Sequence, residues 1–130
     1  MKVSGKFEIK LQSIEPYTKG ECGVTVSRMS IDKKFEGELS AVSKGEMISA
    51  MTPVKGSAGY VAVEQVNGTL SGKKGSFILQ HFGTMNKGKN SLNIEVVPDS
   101  GTDELIGISG KMNIRIEEGL HYYDLEFQFI

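Results

Sequence analysis

The chain has 130 residues, near the commonest size of a single domain and enough to bury a core without disulfides or metal. Its 15 basic and 16 acidic residues are interleaved, giving a net charge of -1 and a pI near 6.1, which argues against nucleic acid binding through a basic stripe. Cys22 stands alone, so no intramolecular disulfide is expected and no zinc-type Cys/His spacing exists; no apolar run suits a signal or membrane span, and the expectation is one soluble, cytoplasmic domain.

Residues 2 to 12 alternate almost without fault, with Val3, Gly5, Phe7, Ile9 and Leu11 on one face and Lys2, Ser4, Lys6, Glu8 and Lys10 on the other. That pattern predicts a strand with one face on the core and one in water. Residues 28 to 40 read as a second strand with Met29, Ile31, Phe35 and Leu39 inward; Lys33 interrupts the pattern and is expected to snorkel towards a barrel mouth. A third strand near 43 to 52 carries Met47 and Met51 and stops at Pro53 and the turn-like Lys55-Gly56-Ser57. Residues 58 to 70 and 75 to 85 predict a hairpin around Ser71-Gly72-Lys73-Lys74. Leu92, Ile94 and Val96 mark a sixth strand ending at Pro98, before the loop Asp99 to Asp103. Ile106, Ile108, Met112, Ile114 and Ile116 form the inward face of a seventh; after the turn Glu117-Glu118-Gly119, His121, Tyr123, Leu125, Phe127 and Phe129 form that of an eighth.

A pattern of large residue, spacer, glycine, spacer, large residue recurs through these segments. It reads Val3-x-Gly5-x-Phe7, Phe35-x-Gly37-x-Leu39, Val66-x-Gly68-x-Leu70, His81-x-Gly83-x-Met85 and Ile108-x-Gly110-x-Met112. Glycines on the same face as bulky residues are tolerated where a sheet bends sharply or another side chain fills the space, as in a small barrel. Short connections favour an antiparallel meander, and closure removes its exposed edges. The fold expected is all-β: a closed antiparallel up-and-down barrel of about eight strands.

The predicted hairpin places Glu64 and His81 on the lumen face, opposite or diagonal to one another and within reach of a hydrogen bond or a bridging water. A buried carboxylate without a partner costs several kcal/mol, so one is required. Two readings stay open: the pair satisfies itself inside a core with a polar cluster, or it holds or polarises a ligand. Tyr60, His121 and Tyr123 share the inward parity and extend the candidate site, while Met29, Met47, Met51, Met85 and Met112 suit an adaptable lumen.

Other signals carry less. Gly83 to Asn90 nearly matches a phosphate-binding loop, but Asn90 stands where Ser or Thr belongs and a strand follows. Asp99, Asp103 and Glu104 lack the spacing of a defined calcium loop, and neither a metal nor a cofactor is expected. Ile78 and Phe82 put two large apolar groups on the wet face of one strand, a candidate subunit contact.

Four segments, Gly59-Tyr60-Val61-Ala62-Val63-Glu64, Gly68-Thr69-Leu70-Ser71-Gly72, Gly75-Ser76-Phe77-Ile78-Leu79-Gln80-His81 and the run Val96 to Gly107, resemble a bacterial family catalogued as domain of unknown function 3224. The resemblance implies an allene oxide cyclase-like, calycin-like barrel. It aligns no catalytic residue with the cyclase and implies no activity. Phe82 departs from the family pattern, which has a smaller residue after the histidine; outward parity keeps it clear of the lumen.

The preferred functional reading is a barrel binding a small, largely apolar ligand, with Glu64 and His81 fixing its polar group and Tyr60, His121 and Tyr123 contributing. Two alternatives stand beside it: a cofactor-independent isomerase, cyclase or lyase using Glu64 or His81 as acid or base, and a structural or homo-oligomeric barrel with a filled core.

Overall fold

The computed structural model describes residues 1–130. Eight strands follow one another: β1 (Lys2–Ile14), β2 (Thr25–Phe35), β3 (Leu39–Met51), β4 (Ala58–Leu70), β5 (Lys73–Asn86), β6 (Lys89–Val96), β7 (Ile108–Glu117) and β8 (Leu120–Phe129). Each pairs antiparallel with the next, and β8 pairs with β1 to close the barrel. The only helical element is a 3-10 turn at Asp103–Leu105, and no helix is long and apolar enough to cross a membrane.

The alternation read from the sequence sets the inward faces, with two corrections. Residues 28 to 40 are not one strand: the chain reverses at Glu36-Gly37-Glu38 between β2 and β3. Gly37 takes φ 112°, a conformation that side chains with a Cβ rarely adopt. Phe35 and Leu39 both point inward from opposite sides of this turn, which imitates continuous alternation. The seventh strand starts at Ile108, because Ile106 caps the 3-10 turn and lies 69% exposed.

The hairpin between β4 and β5 is tighter than expected. Only Ser71 and Gly72, at φ 49° and 83°, lie between the paired residues Leu70 and Lys73. Positive φ at both positions gives the primed turn whose twist matches that of the flanking strands. The two-residue turn then fixes the register along the whole hairpin: Glu64 faces Leu79 and Ala62 faces His81.

The two ends of the barrel differ. At one, the connection 97–107 folds back over the lumen: Leu105 is buried in the core beside Gly75, and Thr102 and Ser100 bond Ser76 and Ile78 on β5. Phe7, Phe35, Leu39, Leu70, Phe77, Leu79, Leu125 and Phe127 fill this half. The opposite end is open. Ile9, Leu11, Met51, Met85, Leu92 and Ile116 have inward parity there yet remain solvent-exposed, Ile116 at 67%. The expectation that this whole face is core therefore holds only over the plugged half. A seam adds to the opening, since β6 and β7 share only the pairs Ile94 with Met112 and Glu95 with Lys111.

Candidate functional site

Glu64 lies at mid-height on the inward face of β4 with no solvent exposure. An ionised carboxylate in that position needs compensating donors, and the neighbouring strands supply three. Lys33 Nζ from β2 donates to Oε2 at 2.8 Å, Ser43 Oγ from β3 donates to Oε1 at 2.8 Å, and His81 Nε2 from β5 lies 2.6 Å from Oε2. Register explains the convergence: Lys33 sits directly across from Ser43, while Glu64 is diagonal to both Ser43 and His81. Gly45 faces Glu64 across the ladder, and a Cβ there would lie 2.6 Å from Glu64 Cα, so this glycine makes room for the carboxylate.

These contacts decide the charge state. Burial alone would raise the Glu64 pKa, but the His81 hydrogen bond and the charge and hydrogen bond of Lys33 outweigh it and hold it down to about 2. Glu64 is thus an acceptor only, so the His81 Nε2 facing it carries a proton. Lys33 already balances the carboxylate; a second cation on His81 would leave the buried cluster with net positive charge. His81 Nδ1 faces the Tyr60 hydroxyl at 3.4 Å. Burial and the nearby Glu64 charge raise the Tyr60 pKa, which keeps the phenol protonated.

Tyr60 is also where the cluster meets space. At the open end lies a chamber of about 300 Å³, lined by Met47, Ser49, Ala58, Tyr60, Met85 and Leu92 among others. The Tyr60 ring also packs against Gly83, whose added Cβ would lie 2.5 Å from the ring. Gly83 thus leaves the space that the aromatic ring occupies at the chamber floor.

Of the five residues singled out by parity, Tyr60, Glu64 and His81 come together. His121 lies elsewhere, packed on Phe7 with ring centroids 5.3 Å apart. Tyr123 points to the plugged half, where its hydroxyl donates to the Glu36 carbonyl at 2.9 Å and accepts from Leu39 N–H at 3.2 Å. Neither lines the chamber. Lys33 and Ser43 are the residues that the sequence reading missed. Lys33 does not snorkel to the mouth: its side chain is 3% exposed, held by Glu64 and by the faces of Phe7 and Phe35. Its parity with Ile31 and Phe35 was the available signal, joined to the requirement of a buried carboxylate for a cation. No group of three or more His, Cys, Asp or Glu side chains is placed to hold a metal ion.

The fold and site define a closed eight-stranded antiparallel barrel, filled at one end and holding an apolar chamber over a buried ion cluster at the other. The family model described as "Protein of unknown function (DUF3224)" matches residues 3–127, and the chain belongs to that family. It is similar to a crystal structure of a protein of unknown function from the same family from Shewanella oneidensis MR-1. The two share 56% identity with a TM-score of 0.97, over 100% of this chain and 98% of that one. No curated protein matches.

Proposed function

We propose that the protein binds a small, largely apolar molecule in the open half of its lumen, with the polar group of that molecule against Tyr60 and, behind it, His81 and Glu64. The chamber carries the reading. It is apolar, connected to solvent and floored by a tyrosine whose hydroxyl sits on a fully partnered buried network. Its volume of about 300 Å³ suits one small ligand. Native mass spectrometry of freshly purified protein, with emission of the apolar dye N-phenyl-1-naphthylamine as a second readout, tests it. Retained mass or enhanced emission is expected, lost when Ala58→Phe fills the chamber; dye binding unchanged by that substitution refutes the assignment.

A second reading, a proton-transferring isomerase, cyclase or lyase, is favoured by one observation: His81 Nδ1 faces the Tyr60 hydroxyl at the chamber floor. Turnover lost in Glu64→Gln while the fold survives would support it.

A further inference from the structure

We infer that Glu64, acting through His81, orients the Tyr60 hydroxyl so that the chamber is offered a hydrogen-bond acceptor, and that the site therefore selects apolar molecules carrying a neutral donor, an alcohol or a phenol. The inference rests on the chamber-binding reading above and adds the chemical class of the ligand.

The chain of directions starts at the buried end. Glu64 accepts from Lys33 and Ser43, so its oxygens face a proton on His81 Nε2. His81, neutral beside a carboxylate already balanced by Lys33, is left with a lone pair on Nδ1. Tyr60 is the group facing that lone pair, and it has one proton to give. Once donated inward, that proton is not available to the chamber, and the outward side of the phenol oxygen carries only lone pairs. A ligand hydroxyl satisfies them. An ether oxygen does not, and a carboxylate meets lone-pair repulsion with the charge of Glu64 behind it. Ser49, directly across the ladder from Tyr60, lines the same chamber but donates or accepts equally well and so does not discriminate. Tyr60 is the ligand-contacting group; His81 and Glu64 are positioning residues.

The test uses the full chain and three probes that share a ten-carbon chain, 1-decanol, decyl methyl ether and decanoate, each displacing N-phenyl-1-naphthylamine. Decanol should displace the dye at concentrations about tenfold lower than the ether, the worth of one hydrogen bond, and decanoate should be the weakest. In Tyr60→Phe the alcohol and ether should come within about twofold while the ether itself is unchanged. In His81→Leu, where Tyr60 keeps its hydroxyl but loses its inward acceptor, the preference should move towards ether and decanoate, a change that a purely structural role for His81 does not produce. Equal displacement by alcohol and ether in the wild type, or a decanol preference that survives Tyr60→Phe, overturns the inference while leaving chamber binding intact. If neither the dye nor any probe binds, the chamber-binding reading falls and this inference with it.

Discussion

Lys33 and Glu64, thirty-one positions apart and on strands that do not pair with each other, meet at 2.8 Å inside the barrel with side-chain exposures of 3% and 0%. Curvature brings them together across β3, which contributes Ser43 to the same carboxylate. A buried pair of this kind is costly to assemble and costlier to break, because removing one partner strands the other charge without water.

Lys33→Met should therefore destabilise the protein by about 3–5 kcal/mol, whereas the double replacement Lys33→Met/Glu64→Leu should recover most of that loss. Urea midpoints of wild type, single and double variants provide the check. A double variant no more stable than the single would show that packing, not charge, sets the cost.

The depressed Glu64 pKa has a defined sign in stability. The carboxyl moves from its ordinary 4.5 down to about 2 on folding, so its contribution is complete above pH 4.5 and is lost as pH falls through that interval towards 2. The loss attributable to this one group is roughly 3 kcal/mol. Unfolding free energy measured between pH 7 and pH 2.5 should fall more steeply for wild type than for Lys33→Met/Glu64→Leu, and parallel curves would contradict the assignment.

Tyr123 and Tyr60 should separate in their effects. Tyr123→Phe removes the hydroxyl that ties Glu36 and Leu39 at the β2–β3 turn and should cost about 1–2 kcal/mol of stability with dye binding unchanged. Tyr60→Phe should leave the melting temperature nearly unchanged and alter ligand preference. Thermal denaturation and dye titration on both variants decide the matter.

Two glycines test how the cluster is accommodated. In Gly45→Ala the new methyl meets Glu64 Cα and the Val63 carbonyl, backbone that cannot swing away, and a loss of at least about 1–3 kcal/mol is expected. In Gly83→Ala the obstacle is the Tyr60 ring, which can rotate. Stability should hold while dye affinity drops, because the ring then moves into the chamber. Equal destabilisation by both would place Tyr60 in rigid packing and remove it as a chamber floor.

Strand number, antiparallel order and inward parity were legible because period-two alternation is a local property that each segment carries alone. So was the pairing of Glu64 with His81, since a short hairpin converts sequence separation into spatial register. The turn at Gly37 was not, because Phe35 and Leu39 keep the same parity whether the chain runs on or reverses. Lys33 was legible as an inward residue but not as a partner of Glu64. Parity assigns a side chain to a face, while contact across an intervening strand depends on closure and stagger of the whole barrel. Exposure at the open end was decided the same way: Ile9, Leu11 and Ile116 have core alternation, and whether their face meets packing or space depends on which end the connection 97–107 covers. Local alternation is thus enough to set the wall of the barrel and its two faces, whereas which half is filled and which charges meet follow from contacts between segments far apart in the chain, which no single segment encodes.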